Sequence, residues 1–403
     1  MRMVRNTCLW CGRLLLALAA GAGCPGQAAA QTTLTNTVRI PLSVHAYTKD
    51  NSVYYKYGIA IGLGGGSPQV FEFDTGGSGF FAAYATNAAW WGSEVSGPQG
   101  AVANSYGSGL EYAGVQVQTR LAFFAPGSVS DPLLVTGTNV YVAQSTNITR
   151  NGTPEWPNEG GAPPVEENFY GDFGLSLAAK EGSVFNVFSQ LAYTNGVKGA
   201  FIVSLGPYGS TNAASVQVGA TQQDLDTFTL FAMRGKDTNG PFTSYSAELL
   251  EALVTMEDGT VFSTNLPVNL DTGTPTPTFH DDEHDGYIPA EFLDGGQIRP
   301  GVELRLAATN APSSPFYFLT AGDAYGVDLL DVKFHHGPNG YLNLGAPVFQ
   351  QYDVLFDFEN GYVGLRPGPV PEMRQAILML AGLAGLWLFG LVRSRVTGKR
   401  GTR

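Results

Sequence analysis

The chain carries the stretch Phe71-Glu72-Phe73-Asp74-Thr75-Gly76-Gly77-Ser78-Gly79-Phe80-Phe81, an apolar run that breaks at a carboxylate and a glycine-rich turn. The same design returns downstream as Leu266-Pro267-Val268-Asn269-Leu270-Asp271-Thr272-Gly273-Thr274. Each stretch predicts a strand that delivers an Asp into a tight turn, where glycine permits the backbone conformation and close approach. The sequence therefore predicts two such turns, one in each half of the chain, that can place two carboxylates side by side.

The composition is typical of a folded, mainly β protein. The 403 residues are enough for two lobes with cores of ordinary size, and 44% of them are hydrophobic and 14% charged. Helical signals are few while Gly, Thr, Val, Tyr and Phe are abundant, which favours β structure. The formal net charge is −12, and because both ends of the chain are basic, the part between them is more acidic still. This charge argues against nucleic acid as a partner.

The first 30 residues are typical of an export signal. They contain basic residues, a short apolar core and then small residues: Arg2, Arg5, Arg13, residues 14–22 and Ala28-Ala29-Ala30. This order predicts a signal peptide cleaved after Ala30, and the apolar core is too short to span a bilayer as a helix.

All three cysteines, Cys8, Cys11 and Cys24, lie inside this segment. Its removal would leave a chain without a disulfide, a catalytic thiol or a cysteine metal ligand. An alternative is lipid attachment at Cys24, which Gly21 disfavours because a large aliphatic residue is usual at that position.

The segment around the first Asp-Thr-Gly resembles a known family. A strand at residues 53–63, a Gly-rich turn with Ser67-Pro68 and a hydrophobic strand before Asp74 are similar to the N-terminal lobe of the pepsin-like aspartic peptidases. Further on, residues 104–109 are a hairpin-tip signal that resembles the family's flap, with Tyr106 and Gly107 at its tip. The alternative for these residues is an ordinary Tyr-Gly turn.

Two later segments extend the resemblance. Residues 170–177 resemble the family's apolar-apolar-Gly strand, which packs across the first catalytic turn, although Asp172 stands where an apolar residue is usual. Residues 342–365 resemble its C-terminal signature: a Leu-Gly pair, a short helix, a Val-x-Phe-Asp strand, an Asn-containing turn and a Val-Gly-Leu strand. The resemblance covers residues 53–367. It implies an all-β bilobal fold with a cleft between two similar lobes, at residues 31–220 and 221–368.

The resemblance also implies a reaction and its residues. Two carboxylates in a cleft of low dielectric share one proton, so that together they activate a water and polarise a peptide carbonyl by general acid-base catalysis. Asp74 and Asp271 would be this pair, acting below neutral pH on a peptide or protein substrate without a cofactor or metal. The roles that the family implies for other residues are dyad support for Thr75, Gly76, Thr272, Gly273 and Thr274, and substrate cover for Tyr106 and Gly107.

The sequence departs from the family at three positions. Gly77 stands where the family has a Ser or Thr that donates a hydrogen bond to the catalytic Asp, and Pro275 stands where Ser is common. Phe81 replaces the Trp that supports the flap tyrosine. These departures keep open a catalytically weak or silent binding protein on the same fold, because a fold alone does not fix a function. A third alternative is a β-sandwich or lectin-like protein with two chance Asp-Thr-Gly turns.

Two other segments carry secondary predictions. Residues 144–168 are polar and lack periodicity, which predicts a long surface loop with sequons at Asn147 and Asn151. His280 and His284 lie four apart among carboxylates, a spacing that suits a metal on a helix, but an acidic surface segment is the simpler interpretation.

The C-terminal tail resembles a sorting signal. Residues 369–372 precede an apolar run at 376–392 and a basic end, which predicts a membrane helix with its basic end in the cytoplasm. The layout is similar to the bacterial PEP-CTERM signal that exosortases process, with Met373 in place of the second Pro. The sequence therefore predicts an exported, monomeric protein that is attached to the membrane or cell envelope.

Overall fold

The structure is a computed structural model, and it describes residues 31–49, 52–158, 161–178, 184–207, 209–210, 214–256, 258–282, 292–294, 297–308, 315–321, 331–335 and 340–368. The predicted signal peptide with its cysteines, the predicted membrane segment and His284 lie outside these residues. Within them, no helix has the length and apolar character needed to cross a membrane.

The first half of the described chain is built almost entirely from strands. In chain order they are β1 (Thr33–Leu34), β2 (Val38–Pro41), β3 (Ser43–Lys49), β4 (Ser52–Leu63), β5 (Gln69–Asp74), β6 (Phe80–Ala83), β7 (Gly100–Ser105), β8 (Leu110–Thr119), β9 (Leu121–Phe124), β10 (Leu134–Val135), β11 (Val140–Arg150), β12 (Thr153–Trp156), β13 (Gly171–Gly174), β14 (Ala192–Tyr193), β15 (Lys198–Ser204) and β16 (Ser215–Ala220). A 3₁₀ helix at Phe188–Gln190 lies between β13 and β14.

The second half adds two short helices to further strands. In chain order the elements are α1 (Gln222–Leu225), β17 (Thr229–Ala232), β18 (Leu250–Met256), β19 (Val261–Asn269), β20 (Thr278–Asp282), β21 (Leu293–Asp294), β22 (Gln297–Ile298), β23 (Glu303–Ala308), β24 (Pro315–Thr320), β25 (Asp331–His335), β26 (Tyr341–Asn343), α2 (Gly345–Gln351), β27 (Tyr352–Asp357) and β28 (Tyr362–Pro367). The C-terminal block of a short helix and two strands, predicted from residues 342–365, is confirmed.

The N-terminal sheet contains the first Asp-Thr-Gly turn. Its strand order is β10-β9-β4-β5-β13-β6-β11-β8-β7, with β12 paired to β11 and β3 to β4. Strand β13 inserts between the two strands that flank the turn, parallel to β5 and antiparallel to β6. In this register Asp172 pairs with Glu72 on one side and with Phe81 on the other.

The C-terminal sheet repeats this arrangement around the second turn. Its order is β21-β22-β25-β20-β26-β19-β18-β23-β24. Strand β26 inserts between β19 and β20, parallel to the first and antiparallel to the second, and Asn343 pairs with Asn269 and Thr278. The partners of Asn343 lie two residues before and seven residues after Asp271, just as the partners of Asp172 lie two before and seven after Asp74, so Asn343 and Asp172 occupy equivalent positions in the two sheets.

A central sheet joins the two halves. Its order is β17-β28-β27-β15-β16-β2, so it combines strands from both ends of the described chain. Strand β27 pairs with β15 and β28, and β2 lies at one edge beside β16. Because α2 leads directly from β26 into β27, the C-terminal sheet is tied to the central sheet by a short covalent connection.

An aromatic cluster lies directly behind the first turn. Phe173 on β13 is fully buried and packs edge-on against Phe80 at 5.1 Å, Phe188 at 5.6 Å and Phe123 at 5.8 Å between ring centroids. Burying one such ring contributes roughly 1.5–3 kcal/mol, and edge-to-face contacts add to this. The backbone of Asp74 is therefore held by a rigid support.

The predicted loop at residues 144–168 is wrong for its first part. Strand β11 continues to Arg150 and forms a hairpin with β12, which ends at Trp156. The polar residues of this part supply backbone hydrogen bonds to β8, while Ile148 and Trp156 are buried in the core. Pairing with a neighbouring strand thus overrides weak local propensity.

Candidate active site

The two Asp-Thr-Gly turns are locked together through their threonines. The backbone amide of Thr75 donates to Thr272 Oγ1 at 3.1 Å, and the amide of Thr272 donates to Thr75 Oγ1 at 3.0 Å. The hydroxyls in turn donate across the interface, Thr75 to the carbonyl of Leu270 and Thr272 to that of Phe73. Both threonines are buried, so these four hydrogen bonds fix the two halves of the molecule to each other at the turns.

The glycine of each turn contacts the carboxyl group of the other turn. A Cβ atom built on Gly76 would lie 2.4 Å from Cγ of Asp271, and one built on Gly273 would lie 2.5 Å from Cγ of Asp74. A side chain at either position would therefore displace the opposite carboxyl. The arrangement brings Asp74 and Asp271 within hydrogen-bonding reach of one another.

The hydrogen bonds to the two carboxyl groups differ. Asp271 accepts four of them from described residues: from the amides of Gly273 (2.8 Å) and Thr274 (3.1 Å), the hydroxyl of Thr274 (2.7 Å) and Nδ2 of Asn343 (2.7 Å). For Asp74, the described donor is the amide of Gly76, at 2.7 Å. Asp271 therefore accepts more hydrogen bonds from the described residues than Asp74 does.

The environment of Asp74 favours its protonated form. Asp74 is only 7% exposed. Burial, and next the negative charges of Asp271 and Asp172, raise the pKa of Asp74 well above its ordinary value. The pair is therefore asymmetric, with the proton held on Asp74.

The predicted flap hairpin is confirmed. Strands β7 and β8 pair from Gly100 to Gln116, and Tyr106 at the tip accepts a backbone hydrogen bond from Gly109, whose φ of 80° suits glycine. Gly107 lies at the open end of the tip, where an added Cβ would meet no atom within 4 Å. At its base, the flap is joined to the first turn by Asn104, which donates to the carbonyl of Ser78.

The Tyr106 side chain points inward to a carboxyl group. Its hydroxyl donates a short hydrogen bond to Oδ2 of Asp172, and its ring packs edge-on against Tyr112 at 5.8 Å between centroids. Tyr112 also packs against Phe81, at 5.6 Å. Tyr112 therefore contacts both Tyr106 and Phe81, while the polar partner of Tyr106 comes from β13.

Gly77 makes room for this carboxyl group. A Cβ atom at Gly77 would lie 2.6 Å from Oδ2 of Asp172 and 2.6 Å from Oδ2 of Asp74, so the two carboxyl groups are neighbours across the glycine. Asp172 is 2% exposed, and its Oδ1 has no hydrogen-bond partner in the described part of the chain. Burial, and next the charge of Glu72, raise the pKa of Asp172 well above its usual range, against the opposing effect of the Tyr106 hydroxyl.

A buried ion pair lies behind Asp172. Lys56 Nζ is 2.6 Å from Oε1 of Glu72, and both side chains are largely shielded from solvent. Burial by itself lowers the pKa of Lys56, but the charge and hydrogen bond of Glu72 outweigh it and raise that pKa above its ordinary value. Glu72 therefore has a compensating cation, whereas Asp172 does not have one among the contacts described for it.

Two residues of this site were not predicted from the sequence. Asn343 donates to Asp271 and to the hydroxyl of Thr274, and its Oδ1 accepts from the amide of Gly345, so its side chain is fully used. Asp172 contacts the flap. The sequence feature that could have identified Asp172 and Asn343 is a shared position: each lies on the strand that crosses behind a turn, two residues before a glycine.

The described residues do not include three or more His, Cys, Asp or Glu side chains placed to hold a metal ion. Residue 280 lies on strand β20, where the ring of His280 stacks on Tyr341 at 4.1 Å between centroids. The helical spacing considered for His280 and His284 therefore does not apply at the first of these positions.

Comparison with solved structures identifies the fold. An aspartic proteinase from Irpex lacteus is similar with a TM-score of 0.54 and 14% sequence identity, over 83% of this chain and 98% of that chain. At this identity the likeness shows the fold alone, which is the mainly β, bilobal fold of the pepsin-like aspartic proteinases. No protein-family model matches the sequence, and the search of curated proteins finds no match.

Proposed function

We propose that the protein is an aspartic endopeptidase in which Asp74 and Asp271 hydrolyse peptide bonds. The observation that carries the proposal is the reciprocal contact in which the glycine of each Asp-Thr-Gly turn lies against the carboxyl group of the other. This contact places two carboxyl groups side by side in a buried setting, which is the geometry that general acid-base hydrolysis through one water requires.

The hydrogen-bond asymmetry supports different roles for the two residues. Asp271, with its four donors, is the carboxylate that takes a proton from the water. Asp74, whose pKa is raised by burial and by its charged neighbours, gives its proton to the carbonyl oxygen as the water oxygen attacks the carbonyl carbon. The proton taken up by Asp271 then passes to the leaving amine, and the carbon–nitrogen bond breaks.

The substrate in this proposal is an extended peptide lying between the N-terminal and C-terminal sheets, under the flap. Tyr106 closes over the peptide and excludes water from the reacting carbonyl. Activity is expected at acid pH and is lost as the pH rises through the elevated pKa of Asp74, because Asp74 must be protonated to act as the general acid.

We also propose that the protein is exported and attached to the membrane or envelope. The support is the sequence of residues 1–30 and of residues 369–403. N-terminal sequencing of the protein purified from its host should give Gln31 as the first residue, and the protein should fractionate with membranes. A first residue upstream of Cys24 together with a soluble fraction would contradict this proposal.

The test of the peptidase proposal is cleavage of a denatured protein by the purified full chain across pH 3 to 7. Asp74→Asn and Asp271→Asn should each lower kcat by about a hundredfold or more, since each removes a general acid or base. Asp357→Asn is the matched control, because Asp357 is also a buried aspartate but lies on β27 in the central sheet. It should keep wild-type activity.

The alternative of a silent binding protein predicts a different result. A folded wild-type chain that does not cleave at any pH, yet is stabilised against heat by a statine-containing peptide, would replace the enzyme proposal with that of a peptide-binding protein. A folded chain that shows no cleavage and is not stabilised by the peptide would overturn both the enzyme proposal and the peptide-binding alternative.

A further inference from the structure

Asp172 is a buried carboxyl group that the proposed reaction does not use. It lies on β13 behind the first turn, where it pairs with Glu72 on β5 and with Phe81 on β6. Burying a carboxyl group costs free energy unless its oxygens are hydrogen-bonded. Oδ1 of Asp172 has no hydrogen-bond partner among the described residues. The partner of its Oδ2 is the hydroxyl of Tyr106, at the tip of the hairpin that β7 and β8 form.

Asp172 has two unusual neighbours, Gly77 and Phe81. Gly77 is the residue whose missing side chain leaves space for Oδ2, and Phe81 is the apolar residue beside it. Both are departures from the pepsin-like pattern: Gly77 replaces a donor to the catalytic Asp, and Phe81 replaces the Trp that supports the flap tyrosine. The Asp172 carboxyl group takes over that contact, so the three unusual residues form one arrangement.

The equivalent position in the second half also carries a polar side chain. Asn343 occupies it and acts on Asp271 directly, through a hydrogen bond of 2.7 Å. Asp172 acts instead on the flap. The two crossing strands therefore each present one polar residue to the cleft, one towards the carboxyl pair and one towards the hairpin that covers it.

We propose that Asp172 is a positioning residue that docks the flap over the Asp74–Asp271 pair by accepting a hydrogen bond from Tyr106, and that Gly77 is present to admit its carboxyl group. The effect of this contact on catalysis rests on the proposed peptidase function, whereas the contact between Asp172 and Tyr106 does not. The titratable and charged groups that face Asp172 are Glu72 with Lys56, Tyr106, Tyr112, Asp74 and Asp271.

The test uses four variants of the full chain and hydrogen–deuterium exchange of residues 100–119. Asp172→Leu removes the acceptor and Tyr106→Phe removes the donor, so each should speed exchange at the flap tip by about tenfold, as loss of one hydrogen bond predicts. Asp172→Asn keeps an acceptor oxygen and should exchange like the wild type. The double variant Asp172→Leu/Tyr106→Phe should be no faster than either single variant, because both remove the same contact.

Tyr245→Phe is the matched control. Its hydroxyl is buried and donates to the carbonyl of Phe358 at 3.0 Å, away from the flap, so its loss should leave exchange at the flap tip unchanged. If the chain is an active peptidase, Asp172→Leu and Tyr106→Phe should also raise KM more than they lower kcat, and Asp172→Asn should restore the wild-type KM at pH 4.

The outcomes separate this inference from the proposed function. Unchanged flap exchange in Asp172→Leu, or additive effects in the double variant, would overturn the positioning role even in an active enzyme. Faster exchange in both single variants of a chain that cleaves nothing would support the docking contact while overturning the peptidase proposal. Tyr106→Phe alters a residue of the half-exposed flap, so it remains informative if Asp172→Leu fails to fold.

Discussion

Thr75 and Thr272 exchange hydrogen bonds across the middle of the molecule, the amide of each donating to the hydroxyl of the other. Each hydroxyl in turn donates a hydrogen bond to a backbone carbonyl beside the other turn. Every donor and acceptor in this group is therefore used, and all of it is buried. The relative position of the two carboxyl groups depends on these few atoms.

Replacing Thr75 with valine should destabilise the protein strongly. The valine keeps the shape of threonine but leaves the amide of Thr272 and the carbonyl of Leu270 without partners, at about 1–3 kcal/mol for each buried group. Urea unfolding should show a loss of roughly 2–6 kcal/mol. Thr75→Ser retains the hydroxyl and loses one methyl group, which should cost only about 1 kcal/mol. Equal losses in the two variants would show that packing, not hydrogen bonding, joins the turns.

Replacing Asn343 with leucine should impair catalysis. The change removes the donor to Oδ2 of Asp271, and a hydrogen bond to a charged group contributes about 1.5–3 kcal/mol, so kcat should fall roughly ten- to a hundredfold. The measurement is steady-state cleavage at acid pH. Asn360→Leu is the control, since Asn360 also donates to a carboxylate, that of Asp357, but in the turn between β27 and β28. A comparable fall in kcat for the control would contradict the assignment.

Introducing the serine that the family has at position 77 should lower activity, not raise it. The new Cβ would lie 2.6 Å from oxygens of both Asp172 and Asp74, which forces one of the carboxyl groups to move. Gly77→Ser should therefore reduce kcat/KM, and adding Asp172→Ala should recover part of the loss because the smaller side chain frees the space that the carboxyl group occupied. The double-mutant cycle measures this coupling. Independent, additive effects would show that the two residues do not share the space.

Asp172 should make the protein less stable as the pH rises. Because its pKa is raised in the folded state, the unfolded chain releases the proton first, and stability is lost between the unfolded and folded pKa values. Asp172→Asn removes this penalty, so its melting temperature should exceed that of the wild type at pH 7, with the difference shrinking towards pH 3. Asp226→Asn, at an exposed position on the surface, should show no such trend. A gain of the same size at both pH values would exclude ionisation as its cause.

Much of the fold followed from local sequence patterns. Alternating apolar residues ending in Asp-Thr-Gly predicted the strands at Gln69–Asp74 and Val261–Asn269, and the glycine-bounded tip predicted the flap hairpin. The resemblance of residues 342–365 to the C-terminal signature of the pepsin-like peptidases predicted helix α2 and the final two strands. All of these features are encoded in runs of adjacent residues, where strand period, turn chemistry and family motifs can be recognised. Residues 144–156 failed this approach because their pairing partner, β8, is distant in sequence.

The sequence by itself determined that two Asp-Thr-Gly turns exist and that Gly77 and Phe81 depart from the usual pattern, which it could interpret only as losses. The tertiary structure alone decided what replaces them. Tyr106 and Asp172 are 66 positions apart, and Asn343 and Asp271 are 72 apart, and in each pair a strand inserted behind the turn brings them together. In the sequence, a polar side chain on such a strand only interrupts an apolar pattern. Its role is not visible there, because its hydrogen-bond partner is set by the crossing of strands and not by its neighbours in sequence.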